Sequence, residues 1–384
     1  MRNSELPFLA VLSVALFSCS YLRVQDVVTI SAEDWTSYGG TIERTNVARS
    51  VVKPPLSLMW EYDASAGFSP YSAAVADSYL FVGNLQGELH VIDIGSGKGL
   101  GFFDFGQTII GTPIVDGGLI YVALTRGEEN LLAYRLSTGS TVWQTKLGDV
   151  EASPLLIAEH IFVTTLDGKL VCVNKTNGEK VWQYDIPRGG RSRMIRSSPA
   201  SDGQIVVFGC DDGNLYAVGV EDGKLRWSAK AGGSIFASPS ISGGKIFVGS
   251  LDRYFYALDA STGREIWKRF LGSTILSSQA VSQDYVYVGT TGRTVYCLDA
   301  QTGDVRWKTP TNGVVNSSPL LSGEIVYVGC LDKNLYAFNS QTGELLWKYQ
   351  AEGRIKTMPI IAKHRLYLLV EDRSVLAFAS VETR

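Results

Sequence analysis

Five cysteines, three histidines and one knot of arginines are the residues of this chain whose types and spacing could do chemistry. Cys19 ends the stretch Leu16-Phe17-Ser18-Cys19, behind an apolar run of ten residues from Phe8 to Phe17 and a thin positive start at Arg2. That run is too short to cross a bilayer as a helix and suits the apolar core of an export signal. Small Ser18 before a cysteine has the form of a lipobox. Residues 1–18 are therefore expected to be a lipoprotein signal peptide, and Cys19 the lipidated first mature residue, carrying palmitate-type chains. Each buried CH2 of such a chain contributes about 0.8 kcal/mol of membrane attachment.

The other four cysteines repeat a spacing. Cys172 stands ten residues before Trp182 and Cys297 ten before Trp307, while Cys210 and Cys330 follow those tryptophans at matching places once a five-residue insertion is removed. Two equivalent disulfides, Cys172 with Cys210 and Cys297 with Cys330, are possible in an oxidising compartment. The alternative is four small buried hydrophobes, and either way the pairs should behave alike. His90, His160 and His364 fall singly and read as equivalent strand-end residues. Nothing has the clustering of a zinc or iron site, and Cys210-Asp211-Asp212-Gly213 lacks the oxygen spacing of a calcium loop. With no nucleophile elbow or metalloprotease motif either, no catalytic, metal or cofactor site is expected.

The arginines are different. Arg188, Arg191, Arg193 and Arg196 fall within nine residues of Pro187–Arg196, together with Met194. Planar guanidinium forks suit carboxylate partners, so this segment is the expected protein-binding site, a solvated charged loop being the bland alternative. With 35 Lys+Arg against 38 Asp+Glu, no overall basic field points to nucleic acid.

The elements that must carry these residues are repeats. Trp60, Trp143, Trp182, Trp227, Trp267, Trp307 and Trp347 recur about every 40 residues, with Phe103 filling the one missing place. One unit, residues 233–270, holds four short alternating stretches separated by turns, the last a Thr-Gly turn that recurs at Thr138-Gly139, Thr302-Gly303 and Thr342-Gly343. Four strands per unit is a propeller blade. The fold expected is all-β: an eight-bladed propeller of four-stranded antiparallel blades, monomeric, over residues 56–380, with residues 19–55 as anchor, tether and lead-in. The eighth unit has only three strands, and residues 56–63 are an orphan fourth, so the N-terminal strand should complete the last blade. A WD-repeat propeller is disfavoured because its Gly-His and Trp-Asp signatures are absent. If strands alternate direction outward, the blade-joining loops and the turns between second and third strands share one face. That face would carry the arginine segment with Arg253, Arg293, Lys333, Arg354, Lys356 and Arg373.

The unit SSP-x4-G-x-[IV]-[YF]-VG…[YL]-[AC]-[LFV]-[DN]-x-x-TG-x3-W resembles the pyrroloquinoline-quinone-type propeller repeat, and Trp35-Thr36-Ser37-Tyr38-Gly39-Gly40 with Asn46 and Pro54-Pro55 resembles the lead-in of such proteins. The resemblance covers residues 34–380. Quinoprotein dehydrogenases of this family carry two adjacent cysteines beside a quinone and a calcium ion; here no two cysteines are adjacent, and that enzyme reading is the remote alternative. The lipobox and eight unadorned blades are similar to the lipoprotein scaffolds of outer-membrane barrel assembly. The resemblance implies a non-catalytic scaffold at the outer membrane, facing the periplasm, whose partner is a large outer-membrane barrel with periplasmic domains. Ser20, in place of an inner-membrane retention aspartate, agrees. In those scaffolds the contact loop entering blade four carries two leucines and an arginine, which align with Arg191, Arg193 and Met194; two aspartates align with Ser234 and Phe236. The location matches and the chemistry does not, which leaves a scaffold with another envelope client as the alternative.

Overall fold

In a computed structural model the described residues are 24, 28–71, 73–187 and 192–381. Cys19, Arg188 and Arg191 lie outside them. Every regular element among them is a strand, and the strands form eight four-stranded antiparallel sheets arranged as an eight-bladed propeller. Blade 5 is representative, with strands Ser240–Ser242, Lys245–Gly249, Tyr254–Asp259 and Glu265–Phe270 from the axis outward. Its aspartate caps the following turn: Asp259 accepts hydrogen bonds from the Ser261 and Thr262 hydroxyls, which do most to hold its carboxyl low, at about 2, and from the amides of the same residues. The ring closes as the orphan strand requires. Leu56–Asp63 pairs with Ser374–Ser380, from Leu56 opposite Ser380 to Asp63 opposite Ser374.

The core lies in the joints between blades. Ile246, Val248 and Leu258 of blade 5 pack with Val207, Leu215 and Trp227 of blade 4 in one buried cluster. At the joints that follow Trp60, Trp143, Trp182, Trp227, Trp267 and Trp307, tryptophan stitches one blade to the next twice. Its indole Nε1 donates to a carbonyl just past the third strand of the next blade, as Trp227 does to Ala260 (2.9 Å) and Trp307 to Ser340 (2.8 Å). Its ring also covers the turn glycine of that blade: a Cβ on Gly263 would lie 2.5 Å from the Trp227 ring. Each tryptophan follows a β-bulge, where one residue drops out of the register, as Arg226 does between Leu225 and Trp227. Apolar residues at that bulged place, including Met59, Val142, Val181, Ile266 and Leu346, are therefore turned out to solvent.

Three expectations need correction or comment. Phe103 does not fill the missing tryptophan place: Val91 pairs with Gly101, so glycine holds the tryptophan register in blade 1 and Phe103 stands two residues beyond it. Aromatic spacing counts residues, whereas the hairpin counts from the bulge. His90 is not equivalent to the other two histidines. It replaces the tyrosine of sister third strands, is buried, and has Tyr62 Oη 3.0 Å from Nδ1 and Glu88 Oε2 3.1 Å from Nε2. Burial lowers its pKa; burial opposes ionisation of Glu88 too, but hydrogen bonds from Ser65, Asn84 and His90 hold that carboxyl low. Finally, Cys172, Cys210, Cys297 and Cys330 are free thiols in this structure. Cys172 and Cys210 share one buried cluster, Cys297 and Cys330 another, and burial pushes the first three up to about 12 and Cys330 to about 11. Thiols so far from ionising are poor nucleophiles.

Candidate docking face

Alternating strand direction places the blade-joining loops and the turns between second and third strands on one face, and a repeated hydrogen bond ties each loop to its turn. Leu85 donates to Gly67, Leu166 to Asp149, Asp211 to Met194, Leu251 to Ser234 and Glu371 to Arg354, all at 2.8–3.0 Å. On this platform the described part of the arginine segment, residues 192–196, leads into blade 4. Arg193 lies against Gly168 and donates from Nη1 to the Ile186 carbonyl at 3.2 Å. Arg196 is used internally: its guanidinium pairs with Asp211, approaches Glu151 at 3.5 Å, donates from Nη2 to the Met194 sulfur at 3.4 Å, and lies 5.1 Å over the Phe236 ring. Burial nonetheless raises the Asp211 pKa, with Arg196 working against the rise. Arg196 thus bridges blades 3, 4 and 5, a role that its loop spacing did not signal.

The turns of blades 5 to 8 carry a second basic series under backbone strain. Arg253, Arg293, Lys333 and Arg373 have φ of 77°, 60°, 73° and 86°, at the turn place held by Gly87, Gly168 and Gly213 in sister blades. A side chain in that conformation costs roughly 1 kcal/mol more than glycine. Arg373 reaches Asp63 at 3.3 Å, and Arg354 and Lys356 both pair with Glu371. Among the described residues Arg253 and Arg293 form no ion pair.

The channel on the axis is closed from the opposite side by the lead-in. Backbone bonds run from it to the inner strands of blades 2, 4, 5, 6 and 7: Thr36 accepts from Val115, Ile42 from Ser201, Glu43 from Ile241, Thr45 from Val281 and Asn46 from Leu321, at 2.8–3.0 Å. Inside, a girdle passes from blade 2 to blade 7. The amide of Thr112 donates to Ser153 Oγ, Ser153 to Ser198, Ser198 to Ser238, Ser238 to Ser278 and Ser278 to Ser318. Tyr38 is seated in it, donating to Ser278 Oγ at 2.9 Å, with the Tyr71 ring 4.8 Å away edge-on. Arg44 is buried beside it, its three nitrogens donating to the carbonyls of Pro199, Tyr38 and Pro154.

These residues do not fit a quinone with calcium. The axial space holds Tyr38 and Arg44, the guanidinium donors are already committed to carbonyls, and no group of three His, Cys, Asp or Glu side chains converges among the described residues.

Comparison with known proteins agrees with the repeat reading. The family model described as outer membrane protein assembly factor BamB matches residues 44–195, 107–251, 191–279 and 252–383. The BamB of Shewanella oneidensis is 27% identical over 170 residues, covering 40% of this chain and 42% of that one, so the chain matches less than half of this relative's length. Among solved structures, BamB from Moraxella catarrhalis superposes with a TM-score of 0.73 at 20% identity, over 84% of this chain and 99% of that one. Quinohemoprotein alcohol dehydrogenase from Comamonas testosteroni gives 0.75 at 13% identity, over 92% and 82%. Both superpositions speak to fold alone. The family match spans nearly all the blades, and the chain belongs to the pyrroloquinoline-quinone-like propeller family described as outer membrane protein assembly factor BamB.

Proposed function

We propose that this protein is a non-catalytic scaffold of the cell envelope, exported by residues 1–18, anchored through Cys19 to the outer membrane by way of residues 19–55, and docking a protein partner in outer-membrane β-barrel assembly. The family match from residue 44 to residue 383 is the observation that carries the reading. A channel filled by the chain's own lead-in supports a non-catalytic role, and four basic turn residues held in a strained conformation support a face selected for charge. The partner is a large outer-membrane barrel with periplasmic domains presenting carboxylates to Arg188, Arg191 and Arg193. Arg196 and Met194 shape the loop from beneath.

Pull-down from solubilised envelopes tests it. Arg191→Glu with Arg193→Glu should weaken capture of the barrel about tenfold or more by reversing two rim charges. Stability should fall by no more than about 1.5 kcal/mol, the worth of the Arg193 hydrogen bond. Unchanged capture would remove this loop from the mechanism. The anchor has its own test: wild-type protein should incorporate labelled palmitate and sediment with membranes, and Cys19→Ala should do neither. A second reading, a scaffold for another envelope client, is favoured by Phe236, which is covered by Arg196 where the barrel-assembly scaffolds resemble one another in carrying an aspartate. Capture of a different envelope protein by the same loop would select it.

A further inference from the structure

One joint of the ring lacks the filling its sisters have. Two residues past the tryptophan register, four outer strands carry an aromatic ring: Tyr62, Phe103, Tyr184 and Tyr349. Three carry a polar side chain that bonds a glycine carbonyl of the next blade: Thr145 to Gly178 (2.6 Å), Arg269 to Gly303 (2.7 Å) and Thr309 to Gly343 (2.7 Å). Blade 4 carries Ala229, which can do neither. Beside it, between blades 4 and 5, lies a cavity of about 220 Å³ lined by Leu215, Ile235, Val248, Tyr256 and Leu258. An apolar cavity of about 150 Å³ is enough to hold benzene.

The sister joints show what this space is shaped for. Each aromatic ring rests on one of two third-strand side chains of the next blade. Tyr62 meets His90 at 5.7 Å and Tyr184 meets Tyr216 at 6.1 Å, both in the register of Tyr256. Phe103 meets Tyr134 at 4.3 Å and Tyr349 meets Phe378 at 4.8 Å, both in the register of Leu258. Both receiving side chains, Tyr256 and Leu258, line the cavity, and Tyr256 is fixed by its hydroxyl bond to Asp252 at 2.5 Å. At the joint of blades 2 and 3, where Thr145 is also small, the corresponding groove of about 390 Å³ is flanked by Lys146, Asp167, Lys169 and Lys180 and is charged instead.

We propose that the cavity between blades 4 and 5 is a binding site for one aromatic side chain of a polypeptide segment. At the sister joints the ring is borne by a chain running beside the next blade. Lys230 and Glu265, both exposed at the mouth, offer one charge of each sign to a polar backbone. This goes beyond the scaffold reading, which stands or falls separately on the arginine loop.

The test uses the full chain with N-acetyltyrosinamide and N-acetylleucinamide as probes, read by methyl NMR of Leu215, Ile235, Val248 and Leu258. The tyrosine probe should shift these methyls in a saturable way, the leucine probe should bind about tenfold more weakly, a difference of about 1.4 kcal/mol, and Ala229→Tyr should abolish both responses while raising the melting temperature. No shift, equal affinity for the two probes, or binding that survives Ala229→Tyr would overturn the proposal. So would an Ala229→Tyr chain that fails to fold, since a ring is what the sister joints accommodate there.

Discussion

Replacing Arg44 by methionine is expected to destabilise the protein by about 3 kcal/mol, because three carbonyls lose charge-assisted hydrogen bonds in a place that water does not reach. The guanidinium is 1% exposed, and its partners are Tyr38 in the lead-in, Pro154 leading into blade 3 and Pro199 leading into blade 4. Burial works against the charge, lowering the Arg44 pKa from 12.5 to about 10, a cost on the order of 3 kcal/mol. The group remains a cation at neutral pH because a pKa of about 10 still lies well above 7, and its donors are committed to the three carbonyls. Lysine keeps the charge but lacks the planar fork, so Arg44→Lys should lose most of the same stability. Denaturant unfolding measures both changes. Hydrogen exchange should also speed up at Leu321, Val281 and Ile241, whose amides bond the lead-in. Methionine within 1 kcal/mol of wild type would mean that the lead-in is not pinned by this residue.

The blades were legible in the sequence because each repeats its own signals: a tryptophan, a turn glycine and period-two alternation at fixed spacing. The closing strand was legible because the count left one strand over at one end and one short at the other. Arg44 was not, since its partners lie 6, 110 and 155 residues away and the lead-in occurs once, without a repeat to set it against. Phe103 was misplaced because Gly101 carries no side chain to mark the register. Arg196 looked like its neighbours in the arginine loop, and only the folded ring brings Asp211 and Phe236 to it. Ala229 could have been found by aligning the outer strands, but the meaning of a small residue there needs the rings of the sister joints beside it. Of the arginine segment, Met194 and Arg196 lie on the face shared by blade-joining loops and turns, while Arg188 and Arg191 are outside the described residues. Its chemistry toward a partner is a matter of the partner's surface.

Glycine in the Thr-Gly turn reads from sequence as a residue needed for positive φ, and the structure supplies a second reason whose size can be measured. Gly303 has φ of 72°, and a Cβ there would lie 2.5 Å from the Trp267 ring. Trp267 is nearly buried, donates from Nε1 to the Ala300 carbonyl at 3.3 Å, and packs beside Phe247 and Phe255 with ring centres 6.1 Å away in each case. Trp267→Ala is expected to cost about 3–5 kcal/mol, the range for emptying a large aromatic site. Gly303→Ala should cost the roughly 1–2 kcal/mol of a left-handed alanine and more for the ring it displaces. The two reasons separate in a double-mutant cycle. If the ring contact matters, Gly303→Ala made in the Trp267→Ala chain should cost only the backbone part, and the coupling between the two changes should reach about 1 kcal/mol or more. Costs that simply add would show that the glycine serves the turn alone and that the tryptophan adapts to a methyl group by moving outward.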